Sequence, residues 1–265
     1  MKKKINRVTH TLTKLRGRNE KALVCFLTAG FPKLNATVPL VRAIEKGGAD
    51  IIEIGMPFSD PLAEGPIIQN SSYTAIQNGI TLDTIFSQIR RIRKQSDIPL
   101  ILMGYVNPVL RYGAQKFFST AAKAGVDGII LPELPLEETA IFQSMMQDVG
   151  LVDIILVSPT TPAKRMKEID QASSGFLYCV STTGVTGSKH LAPTSQYLRT
   201  VQAAVKKNPV LVGFGIKTPG DAKRMSKYSD GIIVGSALIQ KISQMYSLPA
   251  VESFVQTLKK SVKSR

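Results

Sequence analysis

Along the 265 residues, short apolar runs broken by Gly, Pro, Ser or Tyr alternate eight times with segments of helical spacing. The runs are ALVCFLTAG (22–30), DIIEIG (50–55), PLILMGY (99–105), DGIILPEL (127–134), DIILVSP (153–159), GFLYCVS (175–181), PVLVGFGI (209–216) and DGIIVGS (230–236). Between them lie helix-like stretches such as TVPLVRAIEKGGA, TLDTIFSQIRRIRKQ, AQKFFSTAAKAG and APTSQYLRTVQAAVKK. Strands that are apolar on both faces and separated by helices are parallel strands covered by helices. Eight such units predict an α/β fold, a single (β/α)8 TIM barrel. A doubly wound sheet would call for a Gly-rich dinucleotide loop after the first strand, and LTAGFPK is not one. No linker or composition break divides the chain, so residues 1–265 are expected to form one barrel domain.

Ile5, Val8, Leu12 and Leu15 recur at helical spacing and predict an additional N-terminal helix docked on the barrel. The basic start has no apolar core behind it, unlike a secretory signal, and no apolar run reaches the ~18–20 residues of a membrane span. The net charge of +15 is spread along the chain, with small concentrations at KKK (2–4) and KKSVKSR (259–265). It accompanies no nucleic-acid module, so no nucleic-acid or membrane partner is expected, although a positive field would gather an anionic substrate. Cys25 and Cys179 each lie in an apolar run, without a CxxC, and read as buried free thiols of a cytoplasmic protein. No metal site is expected. His10 and His190 read as surface residues.

Chemistry-bearing residues gather after the strands. Glu53 falls near the carboxyl end of the second strand, on the opposite face to Ile52 and Ile54, and Asp60 and Glu64 follow in a broken loop. Barrel enzymes place their chemistry at that end of the strands, and an unpaired buried charge is too costly to be incidental. The seventh and eighth strands end in GFGI and VGSA; Gly213, Gly215, Gly235 and Ser236 form a cradle whose backbone amides and helix N-terminus suit a phosphate. TTGVTGS (182–188) can close over the same corner.

These stretches resemble one family, the α subunit of tryptophan synthase. The match runs through ADIIEIGMPFSDPLAEGPIIQ, GYVNPVLRYG, LPELPLEE, GFLYCVSTTGVTG, GFGIKTP and DGIIVGSALI, in order and across nearly the whole chain. The resemblance implies retro-aldol cleavage of indole-3-glycerol phosphate to indole and glyceraldehyde 3-phosphate, without a metal or cofactor in this chain. It also implies a pyridoxal-phosphate β subunit as partner in an αββα tetramer, with the loop from Met56 to Gln69 at the contact. By the same resemblance Glu53 is the general acid–base and Glu64 the second carboxylate, at the indole N–H. Tyr178, Thr186 and Phe214 orient or line the substrate site, and Gly187, Gly215, Gly235 and Ser236 hold the phosphate.

Two positions depart from the pattern. Glu64 stands in LAEGP where the family has Asp, adding about one methylene of reach, and misplacement of about 1 Å can cost ~10²-fold in rate. Glu133 in LPELP likewise replaces Asp and reads as a rim residue that helps to hold loops. Two other classes remain open: a docking module that has lost its chemistry, and another phosphate-sugar barrel. A Schiff-base aldolase would need a strand-end lysine, and none of the eight strand cores contains one.

Overall fold

The computed structural model describes residues 5–62, 64–180, 195–213 and 215–262. Its strands are β1 (Ala22–Thr28), β2 (Ile51–Gly55), β3 (Leu100–Met103), β4 (Gly128–Ile130), β5 (Val152–Asp153), β6 (Leu156–Val157), β7 (Leu177–Val180), β8 (Val210–Gly213) and β9 (Gly231–Val234). All pair in parallel in the order β5-β4-β3-β2-β1-β9-β8-β7-β6. The expected eight strands appear as nine because the fifth splits. β5 and β6 are consecutive pieces of one stretch, and they form the two ends of the ladder.

That stretch joins the ring through its backbone. The amides of Val152 and Ile154 donate to Asp127 and Ile129 of the β4 segment, at 3.0 and 3.1 Å. The carbonyls of Asp153 and Ile155 accept from Ser174 and Tyr178 on the β7 side, at 2.8 and 3.1 Å. A parallel strand points alternate peptide groups to opposite sides, so six residues serve two neighbours. The stagger of a barrel leaves only a short overlap with each.

Register sorts the side chains. Phe26 lies opposite Glu53, and Glu53 opposite Ile101. In the other direction Ala22 pairs with Gly231, Gly231 with Leu211, and Leu211 with Tyr178. Cross-strand partners share a face and residues alternate along a strand. Phe26, Glu53, Leu211 and Tyr178 therefore occupy one face of the sheet. Every residue of β1, β2, β8 and β9 is buried, as expected for parallel strands with cover on both sides.

The periodic segments form helices as predicted: Thr37–Lys46, Leu82–Arg93, Ala114–Ala124 and Ser195–Ala204. Thr81 caps the second of these by accepting from the Thr84 amide, and Ile85, Phe86, Ile89 and Ile92 form its buried stripe. Further helices interrupt the simple alternation, notably Pro66–Gln77 and Ser236–Gln244. The first of them buries Ile68, Ser71, Ser72 and Ala75. A contact face so small and polar leaves no apolar stripe to read in the sequence.

The N-terminal helix, Arg7–Gly17, buries Val8, Leu12 and Leu15 as expected, while Ile5 stays 68% exposed ahead of the helix. The Asn6 side chain accepts from the Val8 amide and donates to the carbonyls of Asp127 and Gly150. Arg7 Nη1 reaches Asp127 Oδ1 at 3.0 Å, and Arg93 Nη2 reaches Asp127 Oδ2 at 2.7 Å. Asp127, just ahead of β4, also accepts from the Leu100 amide. This carboxylate fastens the helix to the amino ends of the strands. A cleft lined by Leu12, Arg16, Lys21, Pro209 and Asp230 opens at that same end, away from the carboxyl ends of β1, β8 and β9.

Asp127→Ala should lower stability by about 3–5 kcal/mol in urea unfolding, because it strands the largely buried Arg93 guanidinium. Asp97→Ala, at a 92% exposed side chain paired with Arg7, should change it by less than about 1 kcal/mol. Equal effects would show that Asp127 is not the fastening point.

Candidate active site

Glu53 occupies the middle of β2 and is wholly buried. Neither of its carboxyl oxygens has a hydrogen-bond partner among the described residues. Burial alone, by desolvation, pushes its pKa up to about 8. Glu64 lies on the loop between β2 and the helix Pro66–Gln77, 7% exposed, and its Oε2 is also unpartnered. Desolvation raises it to about 7. Near neutral pH burial thus keeps the proton on Glu53 and leaves Glu64 poised between its two forms, a proton donor and an acceptor in an apolar setting.

Tyr178 joins them. Its ring lies on the Glu53 face, and its pKa is raised well above the ordinary value, first by burial and then by the charges of Glu53, Cys179 and Glu64. Both carboxylates are thus within electrostatic reach of one hydroxyl. A Cβ on Gly213 would collide with the Tyr178 ring and hydroxyl, so the two touch. The Tyr178 hydroxyl therefore lies against Gly213 at the end of β8, with both carboxyls in electrostatic reach.

The glycine cradle follows from the same register. Gly213 pairs with Ile233, which places Gly213 and Gly235 on the face shared with Glu53. Gly215 has φ +74°, in the left-handed region that favours glycine. Gly235 is the N-cap of the helix Ser236–Gln244, whose first bonds run from the Leu238 and Ile239 amides to the Gly235 carbonyl. The Ser236 and Ala237 amides precede any intrahelical acceptor and stand at the positive end of the helix. Among the described residues the nearest atoms to a Cβ on Gly235 belong to Phe26, at 3.6 Å, an ordinary contact.

Glu53 and Glu64 both lie within electrostatic reach of Tyr178, and Gly235 and Ser236 open a helix on the same sheet face, with Gly215 in the turn after β8. Phe214, Thr186 and Gly187 lie outside the described residues, as does His190. His10 is exposed, and Cys25 and Cys179 are buried free thiols, as read from the sequence. Among the described residues no group of three or more His, Cys, Asp or Glu is placed to hold a metal. No helix among them is long and apolar enough to cross a membrane. Glu133 accepts a 2.5 Å hydrogen bond from the Val106 amide, at the start of the helix Val106–Tyr112. That is loop-holding, as expected for a rim residue.

Other residues of the site went unread in the sequence. Phe26 leans across Gly55, where a Cβ would sit 2.5 Å from its Cζ, and lies beneath Gly235. The alternation of Val24, Phe26 and Thr28 on β1 was the available signal. Phe58 stacks on Tyr105 at 5.3 Å between ring centroids and anchors the Glu64 loop to the segment after β3. Nothing in the spacing of those two residues announces that pair.

Fold and site together define a class: parallel α/β barrels with buried carboxyls on and just after a strand. Within that class, the chain belongs to the tryptophan synthase alpha chain family, whose family model matches residues 12–264. It is 43% identical to the tryptophan synthase alpha chain of Thermoanaerobacter sp. (strain X514) over 261 residues, 96% of this chain and 99% of that one. It is 45% identical to the alpha chain of Legionella pneumophila (strain Philadelphia 1) over 246 residues, 91% of this chain and 90% of that one. The crystal structure of the alpha subunit from Legionella pneumophila str. Paris superposes with a TM-score of 0.91 at 39% identity, covering 97% of this chain and 98% of that one. A Mycobacterium tuberculosis tryptophan synthase structure gives 0.91 at 32% identity, covering 99% of this chain and 100% of that one.

The raised carboxyl pKa values set the pH dependence of stability. Below about pH 4.5 both groups are neutral in the folded and unfolded chain, so burial costs little there. As pH rises the unfolded chain ionises first, and stability falls until about pH 7 for Glu64 and about pH 8 for Glu53. Glu53→Gln cannot ionise, so its melting temperature should gain on wild type at about pH 9 relative to about pH 5. The same difference at both pH values would mean that Glu53 is not buried as a neutral acid.

Proposed function

We propose that this chain carries out the α reaction of tryptophan synthase, with all 265 residues acting as one catalytic barrel domain. The reaction cleaves indole-3-glycerol phosphate to indole and glyceraldehyde 3-phosphate. The carrying observation is the pair of buried, raised carboxyls, Glu53 and Glu64, within reach of Tyr178 on the face that also bears Gly235.

Glu53 as the carboxylic acid gives its proton to C3 of the indole ring, and the ring becomes cationic. Glu64 as carboxylate accepts the ring N–H and stabilises that charge in a low-dielectric setting. The Glu53 carboxylate then takes the proton of the side-chain hydroxyl beside the ring. The carbon–carbon bond breaks, its electrons return to the ring, and the aldehyde forms. Glu53 ends as the acid it began as, so the cycle balances. A pKa near neutrality lets one group give and take the proton. Tyr178, Thr186 and Phe214 orient and line the indole site. Gly187, Gly215, Gly235 and Ser236 hold the phosphate through backbone amides, supported by the free helix N-terminus at Ser236.

Family membership supports a tryptophan-biosynthetic role in the cytoplasm, with this chain free of cofactor and of nucleic-acid or membrane partners. A β subunit carrying pyridoxal phosphate would take up the indole in an αββα tetramer. The loop from Met56 to Gln69 is the proposed contact; Leu62 at its centre is 86% exposed. The purified chain, with and without a β subunit, should release glyceraldehyde 3-phosphate from indole-3-glycerol phosphate. No release in either case from folded protein would favour a module that acts by docking alone.

Glu53→Gln should fold and lose indole production; a wild-type rate would remove Glu53 as the acid–base. Glu64→Asp keeps the carboxylate and should hold or raise turnover, whereas a loss on the order of 10²-fold would mean the loop has adapted to the longer side chain. The rate should fall as pH drops through about 7, where Glu64 gains a proton, and as pH rises through about 8, where Glu53 loses one. The two limbs belong to the coupled pair. A pH–rate profile flat across both would take these carboxyls out of the chemistry.

A further inference from the structure

Thr28 ends β1 on the Glu53 face, paired with Gly55 across β2, two residues beyond the Phe26–Glu53 pair. Its hydroxyl lies 2.6 Å from that of Ser71, and Ser71 Oγ in turn donates to the Ile68 carbonyl at 2.8 Å. Each of the two residues is 1% exposed, so water does not compete for this bond. Ser71 belongs to the helix Pro66–Gln77, which starts two residues after Glu64. Gln69, on the same helix, donates its Nε2 to the Glu64 carbonyl at 2.9 Å. At the far end, Asn78 donates to the carbonyls of Gly30 and Pro32 just past β1. The helix also packs against Ser236–Gln244, the helix opened by the glycine cradle.

We infer that Thr28 and Ser71 are positioning residues that set the Glu64 carboxylate against Glu53. Thr28 moves with the β1–β2 ladder and therefore with Glu53. Ser71 moves with the helix that carries the Glu64 backbone. The buried hydroxyl pair is the side-chain hydrogen bond that registers one body on the other, and Asn78 closes the opposite end. The helix holds the Glu64 backbone through the Gln69 bond to its carbonyl, while Glu64 Oε2 meets no partner among the described residues. A shift of the helix by a fraction of a turn would move it away from the ring nitrogen. The inference rests on the proposed roles of Glu53 and Glu64.

The test compares Thr28→Val, Ser71→Ala, the double variant and the hydroxyl-keeping Thr28→Ser and Ser71→Thr. Assays use the whole chain with its β subunit. Thr28→Val and Ser71→Ala should each lower kcat on the order of tenfold with KM within about twofold, since the phosphate seat is untouched. The pH-profile limb near 7, proposed for Glu64, should shift with them. Thr28→Ser should restore kcat. The double variant leaves neither hydroxyl unpaired, so its melting temperature should recover toward wild type. Its kcat should stay as low as in the single variants, because the registering bond is still missing. Recovery of kcat together with stability would reduce the pair to a structural contact and overturn the inference. So would wild-type kcat in folded Thr28→Val and Ser71→Ala, or a rise in KM alone. Glu64→Gln, assayed alongside, separates the two levels: if it keeps wild-type kcat, the reading of Glu64 fails whatever the hydroxyl variants do.

Discussion

Residues 152–157 carry the constraint on which the rest of the molecule depends. The parallel ladder begins and ends in this stretch, where Val152 and Ile154 bond to one neighbour and Asp153 and Ile155 to the other. With the ring joined there, a side chain's parity along its strand decides whether it enters the interior. The register holds all the way round: Val152 matches Gly128 on one side and Leu156 matches Tyr178 on the other, and Val152, Ile154 and Leu156 share one parity along the stretch. Tyr178 and Glu53 can therefore meet although 125 positions separate them in the sequence.

An interior built this way makes an ionisable group expensive and thereby useful. Glu53 is wholly buried and its carboxyl meets no hydrogen-bond donor among the described residues, and that burial raises its pKa to about 8. A salt bridge would have depressed its pKa and left it inert as an acid. Elsewhere the chain does pair its buried charges: Asp127 with Arg93 and Arg7, and Asp50 with Lys259 at 2.5 Å. Those pairs sit beside the amino ends of strands: Arg7 and Lys259 hold the first and last helices there, and Arg93 holds the helix Leu82–Arg93. The carboxyls without such partners lie within β2 and on the loop that follows it. A parallel barrel commonly keeps its stabilising contacts at the amino ends of its strands.

The loop bearing Glu64 is held at several points, although its tip is exposed. Phe58 stacks on Tyr105, Gln69 bonds the Glu64 carbonyl, and Ser71 meets Thr28. Next along the rim, Glu133 grips the Val106 amide, so the segments after β2, β3 and β4 are linked in series. Glu133 and Glu64 both lie on these loops. Glu133 reaches a backbone partner, the Val106 amide. Glu64 enters a buried space where its Oε2 meets no partner among the described residues.

Much of this was legible from residue order alone. Eight apolar runs separated by helical spacing determine a parallel α/β ring, because strands covered on both faces and helices with one apolar stripe pack in few ways. The presence of Glu53 on the second strand, the glycines after the last two strands and the amphipathic N-terminal helix were equally plain, since each is a local pattern, although the strand proves to hold Glu53 at its middle rather than near its end. Tertiary structure alone decided the division of the fifth strand, the helix Pro66–Gln77 with its small polar contact face, and the stacking of Phe58 on Tyr105. It also decided how strongly Glu53 and Glu64 hold their protons, and that Thr28 and Ser71 meet. Those features depend on which residues stand beside one another across the ring and on how much water their packing excludes, and neither quantity is carried by spacing along the chain.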